Sequence, residues 1–208
     1  VAVPAGTYPG GIALDVIDDE AGHMIVKVME SNETIAAGKV REFENVVYEP
    51  EKEANLILIN SDATLQQFAT RVAAGEIYLN ARVAADFTAT SSWTPVADYK
   101  GIFDGNGKTV SGLYFNNSDI NSIGMFRYVA ANGKVQNVGA IDSYIHGKDF
   151  LGGVVGYNNG TVDNCYNEGT VSGNNVVGGV VGFNNIGTVD NCYNDGVVSG
   201  TKDCVGGV

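Results

Sequence analysis

A chain of 208 residues, 44% apolar and only 17% charged, is long enough to bury a core and too apolar to remain unfolded. Its formal net charge of −12 argues against nucleic acid and anionic membrane surfaces as partners, because either would be approached against the field. Glycine is abundant at 28 residues and proline scarce at 4, a balance that suits tight turns recurring between short strands.

No apolar run approaches the ~20 residues of a transmembrane helix, so direct membrane insertion is not expected of this stretch. The chain opens on Val1 instead of Met, which reads as a processed or excised chain, so a missing leader says nothing about compartment. Cys165, Cys192 and Cys204 are odd in number and widely spaced, a pattern of neither a disulfide framework nor a zinc site.

In chain order, residues 1–53 read as a small β segment. Ile12, Leu14 and Val16 alternate as in a half-buried strand. Asp18-Asp19-Glu20-Ala21-Gly22 reads as a hairpin loop, Met24, Val26 and Val28 as the returning strand, and residues 40–48 as a further extended segment. Residues 54–208 form the second domain. Its one helix spans Asp62 to Ala74, capped by Ser61 or Asp62 and ended by Gly75. Leu65, Phe68, Ala69 and Val72 give it a single apolar face. That face is expected to lie on the open end of the repetitive region C-terminal to it and hide the unpaired backbone edge there.

From about Ile77 the chain is repetitive. Val110, Val135, Val162 and Val189 open like tetrapeptides, each after a Gly-containing turn, and the last two copies agree far more widely. Gly152-Gly153-Val154-Val155-Gly156-Tyr157-Asn158-Asn159 recurs as Gly178-Gly179-Val180-Val181-Gly182-Phe183-Asn184-Asn185, and Asn164-Cys165-Tyr166-Asn167 as Asn191-Cys192-Tyr193-Asn194. Each copy is too small to bury a face alone, whereas stacking copies about 4.8 Å apart places Val on Val and pairs the backbone along the axis. Gly, Asn and Val dominate over helix formers, which excludes helical repeats, and a propeller blade needs four longer strands. The fold class is therefore mainly β, a parallel β-helix of about four coils with a short capping helix and a small N-terminal β segment. Val110, Val135, Val162 and Val189 are expected to stack inward at neighbouring levels.

Gly153-Val154-Val155-Gly156 and Gly179-Val180-Val181-Gly182, in their longer repeats, closely resemble the GLUG motif. The approach through Trp93-Thr94-Pro95-Val96 and Phe103-Asp104-Gly105-Asn106-Gly107-Lys108-Thr109-Val110-Ser111-Gly112-Leu113 resembles the segment that often precedes such repeats. Val3-Pro4-Ala5-Gly6-Thr7-Tyr8 and Thr34-Ile35-Ala36-Ala37-Gly38-Lys39 resemble the closing strands of fimbrillin-like domains of Bacteroidetes surface proteins. The GLUG resemblance implies a large secreted or surface-anchored bacterial protein, adhesin-like proteins among them. GLUG repeats also accompany some IgA-cleaving metallopeptidases, but this chain has no His-Glu-x-x-His, so no proteolytic role carries over.

The candidate chemistry is sparse, and no catalytic, cofactor-binding or metal-binding residue is assigned. Cys165 and Cys192 share a repeat position with Val138 and Leu113, and Cys204 one with Val176 and Phe150, so these cysteines read as small buried hydrophobes, with a disulfide or metal binding as the alternatives. Asn137, Asn164 and Asn191 should stack as an amide ladder; glycan recognition would need them exposed. Asp163 with Asp190, and Glu168 with Asp195, fall on neighbouring levels and are either solvated surface acids or calcium ligands. Tyr166 with Tyr193, and Tyr157 with Phe183, form aromatic stacks that serve as a sugar-binding strip if exposed and as core if inward. His23 and His146 lack a neighbouring nucleophile or carboxylate motif.

Residues 150–208 hold one basic side chain, Lys202, against Asp163, Glu168, Asp190, Asp195 and Asp203, so an acidic polysaccharide would be repelled and a β-helix lyase is disfavoured. The expected function is a non-catalytic, extracellular bacterial surface protein acting in adhesion or as a stalk, with a glycan-binding module as the alternative. Host glycans or matrix proteins are the expected partners. Val205-Gly206-Gly207-Val208 begins another copy, so further repeats or a covering partner are expected beyond it.

Overall fold

The computed structural model describes residues 6–8, 12–17, 24–29, 33–35 and 56–208. Two compact units, Val1–Asn55 and Leu56–Val208, divide the chain. In the first, β1 (Gly6–Tyr8) pairs antiparallel with β4 (Glu33–Ile35), and β2 (Ile12–Ile17) with β3 (Met24–Met29). Ile12 opposes Met29 and Ile17 opposes Met24, so the alternating segment is a hairpin strand as expected. The loop 18–22 and the extended segment expected over 40–48 lie outside the described residues.

The second unit is a parallel β-solenoid of about five turns with one short helix. It starts earlier than expected, at β5 (Leu56–Ile59), whose run of four apolar residues is too short to show a period; burial nevertheless alternates along it. The chain then leaves the sheet as α1 (Asp62–Ala73) and returns to it as β6 (Asn80–Val83), in register beside β5. In chain order the helix thus falls between the first two levels of the sheet, not ahead of them.

Its start is a reciprocal box: Thr64 N–H donates to Ser61 Oγ at 3.4 Å, and Ser61 N–H donates to Thr64 Oγ1 at 3.1 Å. Asp62 in the first turn and Arg71 in the last complement the helix dipole. Asp62 Oδ2 also accepts from the backbone N–H and hydroxyl of both Thr90 and Ser91, at 2.8–3.3 Å, which ties the helix start to the following coil. Leu65, Phe68, Ala69 and Val72 are buried. The Phe68 ring lies 5.5 Å from Tyr99, 5.6 Å from Phe103 and 6.3 Å from Phe126, so the helix closes the end of the core with an aromatic cluster.

Six parallel strands stack on the first face: β5, β6, the start of β8 (Ile102–Ser111), the start of β11 (Lys134–His146), β14 (Thr161–Asp163) and β18 (Thr188–Asp190). Their inward column runs Ile57, Ala81, Phe103, Val135, Val162, Val189. Val135, Val162 and Val189 stack as expected; Val110 does not. Phe103 is the partner of Val135, and Val110 pairs with Ala140 on the next face. The cause is that β8 turns the corner at Asn106 and Gly107, both left-handed at φ 53° and 70°, so its Gly-Lys-Thr tripeptide precedes the second face and not the first. Leu113 is displaced with it. Its N–H donates to Ser143 Oγ at 3.1 Å, one corner beyond the position of Val138 and Cys165.

The second face carries β7 (Phe87–Thr88), the later part of β8, the middle of β11, the start of β15 (Tyr166–Gly173) and β19 (Tyr193–Asn194). Its inward column runs Phe87, Val110, Ala140, Asn167, Asn194. The third face stacks β9 (Tyr114–Asn116), the ends of β11 and β15, and β20 (Val197–Gly200). The later coils then pass through β12 (Asp149–Leu151) or β16 (Asn175–Val177), and coils close through β10 (Phe126–Val129), β13 (Val155–Asn158) or β17 (Val181–Asn184).

The corners repeat as strictly as the strands. Asn137, Asn164 and Asn191 are left-handed at φ 55°, 50° and 50°, a conformation that Asn tolerates better than other side-chain-bearing residues. Ser122, Phe150, Val176 and Cys204 are left-handed at another corner, with φ from 53° to 61°. The expected equivalence of Cys204 with Val176 and Phe150 therefore holds in the backbone itself, although Cys204 is exposed.

Candidate functional site

Among the described residues, those singled out in the sequence form columns along the solenoid, not a convergent cluster; His23 lies outside the described residues. Among the described residues, no group of three or more His, Cys, Asp or Glu is arranged to hold a metal ion.

The exposed Asn column is a hydrogen-bonded ladder at its start. Asn137 Nδ2 donates to Asp104 Oδ1 at 3.0 Å, and Asn164 Nδ2 donates to Asn137 Oδ1 at 2.9 Å. Asn191 departs from the expected stack and donates to Asp163 Oδ1 at 3.2 Å. Lys134 Nζ stands 3.6 Å from the other oxygen of Asp163, so this carboxylate already has an amide and an ammonium beside it. That pairing relieves the repulsion between Asp163 and Asp190, which are directly in register.

A second set of amides lies inside, where sequence reasoning placed none. Asn158 and Asn167 are fully buried. Asn167 Nδ2 donates to Asn194 Oδ1 at 2.7 Å and to the Gly169 carbonyl at 3.2 Å, while its Oδ1 accepts from Gly169 N–H at 3.2 Å. Asn158 repeats this pattern with Asn184 and Gly160. The repeated glycines make the room. A Cβ at Gly153 would stand 2.4 Å from Asn167 Oδ1, and one at Gly179 would stand 2.2 Å from the same group of Asn194. The co-repetition of Gly153 with Asn167 and of Gly179 with Asn194 was the available signal.

The aromatic columns differ from one another. Tyr166 and Tyr193 are parallel to within 4°, with centroids 4.9 Å apart, and Tyr193 is 47% exposed. Burial raises the pKa of Tyr166, with smaller contributions from Tyr193, Glu168 and Asp86. Tyr114 and Tyr144 form another outward stack at 5.6 Å. Tyr157 and Phe183 are half-buried instead. Phe150, from the corner of the same coil as Tyr157, packs 6.1 Å from Tyr157 and 5.3 Å from Phe183 and closes them into a small cluster. His146 Nδ1 lies 2.9 Å from Ser172 Oγ, its in-register neighbour on the next coil. This nucleophile-type partner was not foreseen, since the two are 26 positions apart in the chain.

The three cysteines are free thiols. Cys165 is buried and Cys192 half-buried, in the column that begins at Gly105 and Val138. Their thiols donate to the carbonyls of Asp163 at 3.3 Å and Asp190 at 3.1 Å.

Parallel coils, in-register ladders and glycine sockets for stacked amides define a β-solenoid repeat protein. The family model for the GLUG motif matches residues 151–172, so the chain carries a GLUG motif in the coil that holds Gly153, Cys165 and Asn167. The chain is 42% identical over 84 residues to halomucin of Haloquadratum walsbyi, covering 40% of this chain and 1% of halomucin. It is 33% identical over 79 residues to a putative Gly-rich membrane protein of Evansella cellulosilytica, covering 35% of this chain and 9% of that protein. The chain thus matches only a small part of these much longer relatives. No solved structure matches it. The fimbrillin-like resemblance of residues 1–53 receives no support from these matches. Among the described residues, no helix is long and apolar enough to cross a membrane.

Proposed function

We propose that this GLUG-repeat solenoid is a non-catalytic part of an extracellular bacterial surface protein, acting in adhesion or as a stalk. The observation that carries the proposal is the repetition of one outward pattern on successive coils: Asn137 with Asn164, Tyr114 with Tyr144, and Tyr166 with Tyr193. Such a surface makes weak contacts that multiply with coil number. It also lengthens by duplication, at about 4.8 Å per coil, so five turns extend roughly 24 Å. His146 and Ser172 fit the same reading as a coil-to-coil contact within a column that Ser199 continues. The relation to a protein named as a membrane protein supports a place at the cell envelope. A Bacteroidetes source rests on the wording of residues 3–8 and 34–39 alone.

A glycan-binding module is the second reading. It is favoured by the exposed amides and phenols that recur along the solenoid, with host glycans as ligand and matrix proteins as the competing partner. The test pairs localisation of the full-length protein in its host with binding of this chain, as monomer and as multimer, to immobilised matrix proteins and a glycan array. Surface exposure and binding that rises steeply on multimerisation are expected. A cytoplasmic location, or turnover of a polysaccharide or peptide by this chain, overturns the proposal.

A further inference from the structure

Cys165 and Cys192 are successive members of one column on neighbouring coils, flanked by the in-register pairs Asp163 with Asp190 and Tyr166 with Tyr193. We propose that they form an oxidative cross-linking site, which a small-molecule disulfide closes into a Cys165–Cys192 bridge between two coils. In-register residues on adjacent strands lie about 4.8 Å apart. That separation falls within the roughly 4.4–6.8 Å that disulfides span between Cα atoms. Each thiol donates to the carbonyl two residues before it, of Asp163 at 3.3 Å and of Asp190 at 3.1 Å, so the two sulfurs are held alike on neighbouring coils. Tyr193 N–H donates to the Cys165 carbonyl at 3.2 Å, which pins this corner of one coil to the other.

Access to the two sulfurs is graded, which sets the order of events. Cys192 is half-buried and Cys165 buried, so only Cys192 meets a reagent from solution. The adjacent Cys165 side chain holds the Cys192 thiol below its ordinary value, against the opposing effect of burial. The adjacent Cys192 side chain, together with burial, pushes Cys165 well up. The Cys192 thiolate attacks one sulfur of oxidised glutathione, the S–S bond breaks, and one glutathione thiolate leaves. The Cys165 sulfur then displaces the second glutathione from Cys192 as the protein disulfide forms. The protons from the two cysteines end on the two released thiols. Two cysteines are oxidised and one small disulfide is reduced.

The test uses the whole chain carrying Cys204→Ser, which removes the exposed competitor. It is incubated with oxidised glutathione while folded, then alkylated and analysed by intact mass and peptide mapping. The expected product has lost the mass of two hydrogen atoms, carries no glutathione, and yields a linked Cys165–Cys192 peptide. A companion variant, Cys165→Val with Cys204→Ser, places in the column the residue found at Val138, and circular dichroism checks its fold. It should accumulate glutathione on Cys192, because no second thiol resolves the adduct. A stable glutathione adduct on Cys192 when Cys165 is present, or no reaction of the folded chain, overturns the proposal.

Discussion

Replacing Phe68 with alanine tests whether α1 closes the solenoid. The ring is fully buried and meets Tyr99, Phe103 and Phe126 at 5.5, 5.6 and 6.3 Å. Large-to-small changes of a buried Phe cost about 3–5 kcal/mol, and the figure depends on how far the surroundings collapse. Collapse is restricted here. The Tyr99 hydroxyl donates to the Leu79 carbonyl at 2.8 Å, and Phe103 and Phe126 are held by strand pairing. The upper part of that range, about 4–5 kcal/mol, is therefore expected. For a unit of this size, each kcal/mol lowers the melting temperature by about 2–4 °C, so a fall of roughly 8–20 °C should be seen. Thermal and urea unfolding followed by circular dichroism measure it. Phe68→Leu, which keeps most of the volume, should cost clearly less. A loss below about 1 kcal/mol for Phe68→Ala, the scale of an average substitution, would refute the capping role.

Asn167→Ala takes the partner from three groups, Gly169 N–H, the Gly169 carbonyl and Asn194 Oδ1, and should destabilise by at least the cost of one buried group left unpaired, about 1–3 kcal/mol; urea titration reads the loss, and a neutral result refutes the buried ladder. Gly156→Ala places a Cβ 2.4 Å from the carbonyl carbon of Ser122 and 2.5 Å from the nitrogen of Ile123. Because both obstacles are backbone, a cost of about 1–3 kcal/mol is expected, visible as a lower urea midpoint. Asp62 is raised by burial, but hydrogen bonds from Ser91, Thr90 and Gln66 outweigh this and hold it below the usual carboxylate value. Its stabilisation is therefore complete above the unfolded value of about 4 and lost as pH falls through the lower folded value. Asp62→Asn should flatten the acid limb of the stability curve, and an unchanged limb refutes the tie to Thr90 and Ser91.

Legibility in the sequence depends on where the information lies. Val135, Val162 and Val189 are readable because the coils that carry them keep a constant length, so sequence period and spatial register coincide. Val110 is not, because the coil from Phe103 to Val135 is longer and the same tetrapeptide pattern falls on a different face. The helix is readable from its cap and apolar spacing, both local. Phe150 closing over Tyr157 and Phe183 depends on a corner that folds one segment against another, which no local pattern records. Asn167 is hidden for a different reason: an amide counts as polar until its socket is seen, and the socket is the missing side chain of Gly153.

The aromatic columns also bear on the two readings of the surface. A Cβ at Gly139 would stand 2.2 Å from the ring of Tyr166, so that ring lies flat on the preceding coil. Its other face meets Tyr193 at 4.9 Å. Stacking along the axis thus covers both faces of Tyr166 with protein, and the edge and hydroxyl are what reach solvent. A sugar ring that binds by stacking needs an open face, which this position does not offer. Any glycan held here must be held by hydrogen bonds, from the phenol and from the nearby Glu168 and Asp86 carboxylates that act on it. Tyr166→Phe keeps the stack and removes only the hydroxyl. Glycan recognition of the hydrogen-bonding kind should weaken by roughly 0.5–1.5 kcal/mol, about two- to tenfold in affinity, while unfolding stays unchanged. Glycan binding that survives Tyr166→Phe at full strength would mean that the sugar lies elsewhere on the solenoid, and matrix-protein binding that survives it would separate the adhesive face from this column.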